Sequence, residues 1–363
     1  MAKQIYFTVT NDLSYDQRMH RICGSLSGAG YDITLVGRML PSSLPLEKKA
    51  FRQKRISCWF KKGKLFYAEY NIRLFFFLLF QPMDIICAID LDTILPCLYV
   101  SRLKRIPRIY DAHELFTELK EVVTRPSVYR TWKRIEKIAV PQYEHGYTVG
   151  QEIAREFKKR YGVDYACIRN MPIEKAVPDL TARKKVLIYQ GAVNEARGFE
   201  WLIPAMKNIR TDLLICGTGN FMDQLKKLIE ENGVQEKVIL MGQLDPRQLW
   251  EESVKAYIGI GLVENSGLNQ YYSLPNKFFD YIQAALPQVT MDFPEYRRIN
   301  QQYEVALLIP ELKPELIAEA VNKLLDDPVL YDRLFQNCLR ARKELNWQTE
   351  ETKLLAFYRN ILP

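Results

Sequence analysis

Short apolar runs alternate with amphipathic stretches along most of the chain. The run "QIYFTVT" (4–10) reads as a buried strand, and "YDQRMHRICGSLSGAG" (15–30) as a helix closed by Gly30. The runs "DITLVGR" (32–38), "DIICAID" (84–90) and "PRIYDA" (107–112) predict further strands, with "DTILPCLYVSRLK" (92–104) as a helix before the last. A long helical stretch, "SVYRTWKRIEKIAVPQYEHG" (127–146), precedes the strand "GYTVG" (146–150) and a helix over 151–161. Strand–helix–strand alternation of this kind implies a parallel sheet covered by helices.

The rhythm breaks between Arg169 and Lys185, where two prolines and no periodicity mark a linker. It then restarts. Strands are expected at "KVLIYQG" (185–191), "DLLICG" (212–217), "KVILMG" (237–242) and "AYIGIGLV" (256–263). Helices are expected at "GFEWLIPAMKNI" (198–209), "NFMDQLKKLIEENG" (220–233) and "DPRQLWEESV" (245–254), the last with Asp245 as N-cap and Pro246 at its first position. Later helices include "PELIAEAVNKLLDD" (314–327) and one ending near Asn360. The 363 residues therefore divide into two tandem Rossmann-like, doubly wound α/β domains with a cleft between them, over 1–170 and 171–345. A final helix is expected over about 346–363.

Composition narrows the picture in three ways. The start, "MAKQIYFTVTND", turns polar too soon for a signal peptide, and "LFFFLLF" (74–80) is too short to span a bilayer. Seven scattered cysteines with no C-x-x-C suggest reduced thiols and a cytoplasmic protein. The three histidines lie at no metal-ligand spacing, so no metal is expected. Charge is uneven: residues 1–172 carry 28 Lys and Arg against 17 Asp and Glu, and residues 173–363 carry 23 against 26. The basic half favours an anionic partner. Its densest segment, Lys48 to Lys64, also holds Phe51, Trp59 and Phe60. That mixture suits a solvated loop or peripheral contact with an anionic membrane. No recognition motif accompanies the charge, so nucleic acid is not expected.

In open parallel sheets ligands bind beyond the carboxyl ends of the strands, so the β-to-α loops hold the candidate chemistry. In "SLPNKFFDYIQAALP" (273–287), Lys277 stands in a first helical turn, where the helix dipole disfavours a cation. Arg197 and Gly198 stand at another helix start, in "YQGAVNEARGFEWL". Two such placements point to an anion, most simply a diphosphate. "ICGTGN" puts Gly217 and Gly219 in a strand-to-helix turn, where a ligand could approach the backbone closely. "GLVENSGL" ends a strand with Glu264, a carboxylate suited to sugar hydroxyls. In "YDAHELF", Asp111, His113 and Glu114 gather at a strand's carboxyl end, where His113 could donate a hydrogen bond or act as acid or base. In "IDLD", Asp92 is read as a helix cap and Asp90 as a residue of the cleft.

The ordered set of these motifs resembles the GT-B glycosyltransferases of the family 4-like, group 1 type. The resemblance covers nearly the whole chain. It implies a nucleoside diphosphate sugar as donor, held by the second domain. It implies a glycan or lipid-linked glycan acceptor, held by the first. On the donor side it places Gly191, Arg197, Gly198, Gly217, Gly219, Gly242, Gln243, Leu244, Glu264, Gly267, Asn276 and Lys277. On the acceptor side it places Asp90, Asp111, Glu114 and Arg18. His113, Glu264, Arg197 and Lys277 would carry the catalysis, without metal or cofactor. The implied activity is retaining glycosyl transfer in cell-surface polysaccharide or lipopolysaccharide synthesis, in the cytoplasm or at the inner face of the membrane. Two features depart from the family pattern. No glutamate stands eight residues after Glu264, and Lys277 lies near the place of the ribose-binding carboxylate. The first-domain glycine loop is replaced by "NDLSYDQR". A nucleotide-sugar epimerase and a non-catalytic sugar-nucleotide-binding protein share the same plan.

Overall fold

Apolar strands flanked by amphipathic helices build two parallel sheets, each in its own unit. The structure, a computed structural model, describes residues 2–14, 16–176 and 183–362. One unit holds residues 1–170 and 350–363, and the other holds 171–349.

In chain order the first unit contains β1 (Gln4–Thr8), α1 (Gln17–Gly28), β2 (Asp32–Arg38), β3 (Arg52–Ile56), α2 (Gly63–Leu79), β4 (Ile85–Ile89) and α3 (Ile94–Lys104). Then come β5 (Arg108–Ala112), α4 (Lys120–Val123), α5 (Pro126–Ala139), β6 (His145–Thr148), α6 (Gln151–Tyr161) and β7 (Ala166–Cys167). The seven strands pair in parallel in the order β3-β2-β1-β4-β5-β6-β7. The order reverses between β1 and β4, so a crevice is expected beyond Thr8 and Ile89. The central strands are buried on both faces, as an apolar run requires. The edge strand β3, "RQKRI", instead alternates exposed and half-buried positions, and its charges discourage pairing with another chain. Neither β3 nor α2 shows in the periodicity, because β3 is polar but for Ile56 and the apolar residues of α2 follow no single face.

The long helical stretch expected over 127–146 stops earlier. Pro141 lacks the N–H that would continue it, and α5 passes into a short 3-10 turn at Val140–Gln142. Helix α1 starts after Asp16, whose side chain accepts the Met19 N–H. Its expected start at Tyr15 lies outside the described residues. The expected linker contains no helix or strand over 169–176 and 183–185, and its residues 177–182 lie outside the described residues.

The second unit contains β8 (Leu187–Gln190), α7 (Phe199–Ala205), β9 (Leu213–Cys216), α8 (Met222–Asn232), β10 (Val238–Gly242), α9 (Pro246–Lys255) and β11 (Ile258–Gly261). It continues with α10 (Leu268–Tyr272), α11 (Asn276–Gln283), β12 (Gln288–Met291), α12 (Pro294–Tyr303), β13 (Ala306–Ile309), α13 (Pro314–Asp326) and α14 (Pro328–Ala341). Its six strands run in the order β10-β9-β8-β11-β12-β13, again all parallel, with the reversal between β8 and β11. Asp245 caps α9 in a reciprocal capping box with Gln248. Helix α15 (Trp347–Ile361) ends the chain. From Glu350 onward it belongs to the first unit, where Tyr358 is fully buried against Phe7 and Tyr147.

Candidate functional site

In the second unit three loops converge at the switch between β8 and β11. The loop after β8 turns through positive φ at Gly191, Ala196 and Gly198. The loop after β9 is laced to it: Val193 N–H donates to Thr218 O and Phe221 N–H to Val193 O, both at 3.0 Å. Asn220 N–H adds a bond to Asn194 Oδ1. The two glycines expected to admit a ligand serve this lacing instead. A Cβ on Gly217 would lie 1.9 Å from Gly191 O, and one on Gly219 would lie 2.1 Å from Val193 O. The close approach is therefore to neighbouring backbone. The loop after β11 joins the others through Glu264 N–H donating to Ala196 O at 3.2 Å, which seats Glu264 one residue from Arg197 across the contact.

Lys277 is the second residue of α11 and is buried. Its Nζ has no hydrogen-bond partner among the described residues and lies 3.8 Å from the centre of the Tyr189 ring. The side chain thus turns inward over β8 rather than out to water. Burial pulls its pKa well below the ordinary lysine value, and the Arg197 guanidinium adds to the shift. Arg197 likewise opposes the rise that burial imposes on Tyr189, which reaches about 12. An aromatic ring can face a cation favourably, but it supplies no hydrogen bond. A buried amine beside a guanidinium, with no partner for its N–H groups, is arranged for an incoming anion. Tyr189 escaped the sequence reading because a strand tyrosine reads only as core. Lys277 stood out by its place in a first turn.

Farther along the same helix, Asp280 accepts a hydrogen bond from Gln190 Nε2 at 3.0 Å, and Gln190 in turn accepts from Ser253 Oγ at 2.8 Å. This puts a carboxylate at the end of β8, three residues after Lys277 and on the same helix face. Asn276 and Gln243 are exposed. Gly242 has φ 67° where the β9–β10 register shifts, and Leu244 packs beside Ile188 and Cys216. Gly267 opens α10. Glu264 lines a hollow of about 540 Å³ with Trp201, Tyr271, Phe293 and Arg297 among its walls. Apolar rings with a few polar groups are a common lining for a small-molecule site.

In the first unit, His113 follows β5 and is held by carboxylates from two strand ends. Its N–H donates to Asp90 Oδ1 at 2.8 Å. Its Nε2 lies 3.2 Å from Asp111 Oδ2 and its Nδ1 3.5 Å from Asp90 Oδ2. Burial alone would lower the His113 pKa, but Asp111 and Asp90 outweigh it and raise it to about 9. The two carboxylates thus favour the protonated ring, whose nitrogens then both donate. Burial also pushes the Asp90 carboxyl up. Asp111 is pushed up by burial too, but Arg18 and His113 prevail and hold it below the usual range. Arg18, placed on the acceptor side by the sequence reading, is buried on α1 and pairs with Asp111 at 3.0 Å. Both face each other inside the unit, and Asp111 also faces His113. Glu114 is half-buried beside the same turn. Asp92 does not cap α3. It is buried and accepts the Thr10 hydroxyl, and α3 has no side-chain cap.

Residues 170–340 match the model of the family described as glycosyl transferases group 1. Among curated proteins, the chain is 22% identical over 209 residues to alpha-D-kanosaminyltransferase of Streptomyces kanamyceticus, covering 56% of this chain and 47% of that one. The chain thus spans about half the length of that relative. Among solved structures, sucrose-phosphate synthase from Thermosynechococcus elongatus superposes with a TM-score of 0.81 at 16% identity, covering 99% of both chains. HepE of Anabaena, in complex with UDP-glucose, gives a TM-score of 0.76 at 10% identity over 98% and 99% of the chains. At such identity the likeness shows the fold, which is the tandem Rossmann-like GT-B arrangement.

Proposed function

We propose that this chain, whose residues 170–340 carry the glycosyl transferases group 1 region, is a retaining glycosyltransferase. It moves a sugar from a nucleoside diphosphate sugar to an acceptor hydroxyl. One observation carries the reading: Lys277 is buried beside Arg197 at the β8/β11 switch with no hydrogen-bond partner for its Nζ. In transfer, the bond between the anomeric carbon and the diphosphate oxygen breaks, and the diphosphate takes the electron pair. Arg197 and Lys277 stabilise the charge as it grows, which is the electrostatic route to a lower barrier. The new bond forms to the acceptor oxygen, and its proton passes to the leaving diphosphate. No metal is required, because the two cations meet the charge. Asp280 supplies the carboxylate for the ribose hydroxyls from a position later in α11 than the usual pattern. Glu264 accepts hydrogen bonds from hydroxyls of the donor sugar. The acceptor belongs to cell-surface polysaccharide or lipopolysaccharide assembly, at the cytoplasmic face of the membrane.

Slow release of nucleoside diphosphate from a panel of sugar nucleotides, without added acceptor, tests the activity. The wild type should release it from one of them. Arg197→Ala should lower the rate by about a hundredfold, the usual effect of removing one transition-state donor, with an unchanged melting temperature. A fully active Arg197→Ala would remove that residue from the reaction.

A further inference from the structure

Helix α2 carries an apolar face on the outside of the first unit. Its inward row, Phe66, Tyr70, Leu74 and Leu78, is buried in the core. Its outward row, Ala68, Ile72 and Phe76 continued by Phe80, is spaced by four residues and stands exposed. A helix apolar on both faces belongs to a protein interior or a membrane, not to a water-facing surface. No helix among the described residues is long and apolar enough to cross a membrane. The outward row spans only about 18 Å at 1.5 Å per residue. Such a face lies in an interface and does not span one.

The surroundings say what covers it. Trp59 is 83% exposed and is held beside α2: Glu69 accepts the N–H groups of Trp59 and Phe60, each at 2.9 Å, and Arg73 sits 4.7 Å over the indole. Lys61, Lys62 and Lys64 follow it, all exposed. Helices α3 and α5 continue the layer, α3 packing on α2 and α5 on α3. They add exposed Arg102, Arg130, Arg134 and Lys137. The only carboxylates of α2, α3 and α5 are Glu69 and Glu136. Glu69 pairs with Arg73, and Glu136 is buried under Lys133, Thr117 and Tyr161. The neighbouring α4 carries Lys120 and Glu121, which balance. Of the eight cations in the Lys48 to Lys64 segment, three pair away from this face: Lys49 with Glu47, Arg52 with Asp32 and Arg55 with Asp12. The helices that carry and flank the apolar row therefore expose cations, while their two carboxylates are paired.

We propose that the outward face of α2, with Trp59 and the cations of α3 and α5, is a docking surface for an anionic lipid bilayer. The apolar row enters the boundary between headgroups and chains, and the cations meet lipid phosphates, each worth about fivefold in partitioning. A protein partner would have to match an apolar row ringed by charges of one sign, which a phosphate-rich surface matches by its nature. The proposal deepens the membrane placement of the acceptor given above, but its residues lie in the first unit and its test does not depend on sugar transfer.

Sedimentation with vesicles tests it, using phosphatidylcholine alone and phosphatidylcholine mixed with phosphatidylglycerol. The wild type should sediment with the mixed vesicles, not with phosphatidylcholine alone, and raised salt should weaken the binding. Ile72→Glu with Phe76→Glu should cut partitioning by more than about tenfold, the value of one buried large apolar side chain. Lys62→Glu with Lys64→Glu should weaken it independently. Both doubles should keep the wild-type melting temperature, because the altered side chains touch water. Failure of the wild type to bind anionic vesicles would overturn the proposal. So would binding that survives Ile72→Glu with Phe76→Glu. A concentration-dependent dimer that this variant dissociates, with no vesicle binding, would overturn the proposal and give the face to a second copy of the chain.

Discussion

At the scale of single residues, the chemistry lies in groups held in protonation states that water would not give them. Lys277 is drawn toward neutrality by burial and Arg197, and an arriving diphosphate would restore its charge. His113 is the opposite case. Its pKa stands near 9 against an ordinary 6.5, because two aspartates outweigh its burial. A group raised in this way contributes stability that is complete below pH 6.5 and is lost as pH rises through about 9. Asp90, also raised, acts with the same sign, since the folded state again holds the extra proton. The melting temperature should therefore fall between pH 6.5 and about 9, and His113→Gln should flatten the fall. An equal slope in the variant would show that the pair does not titrate as described. Lys277 was legible in the sequence as an electrostatic misfit, and His113 as part of a polar cluster at a strand end. Their partners were not: Tyr189 looked like core, and Arg18 was placed on the acceptor side, with no sign in the sequence that it is buried against Asp111.

At the scale of elements, the donor-side loops are rigid because they lean on one another. The glycines of "ICGTGN" let the loop after β9 lie against the loop after β8, and that contact holds the turn on which Arg197 is carried. Gly217→Ala places a methyl group against Gly191 O, where backbone cannot yield as a flexible side chain can. It should cost about 1–3 kcal/mol, the range for overpacking, and weaken nucleotide binding as well. A thermal melt with and without ligand checks both effects, and an unchanged melt would mean the loops relax freely. Strands such as β1 and β2 and capped helices such as α9 were plain in the pattern, because apolar run, cap and turn residue agree there. Strand β3 was hidden because an edge strand needs few apolar residues. Helix α2 was hidden because its apolar residues follow no single face. Asp92 misled because an aspartate before a helical run resembles a cap, whereas Thr10 takes its carboxylate.

At the scale of the whole molecule, two parallel sheets each reverse their strand order once, and each reversal carries a charged cluster at the strand ends. The first holds carboxylates around a histidine, and the second holds a buried lysine over a tyrosine, with an arginine near it. The tandem arrangement was legible because the strand–helix rhythm stops at a proline-rich segment and starts again. The final helix shows the same economy, returning Tyr358 to the core of the first unit. The central claim is that the second cluster is completed by a diphosphate. Titration calorimetry in buffers of different ionisation enthalpy tests it most directly, on wild type and Lys277→Met, with whichever of UDP, GDP, CDP and dTDP raises the melting temperature most. The account predicts saturable binding by the wild type with net proton uptake, as Lys277 regains its charge. It predicts loss of that uptake and much weaker binding in Lys277→Met, whose ligand-free melting temperature is not lowered. Equal affinity in the two proteins, with no proton taken up by the wild type, would contradict it.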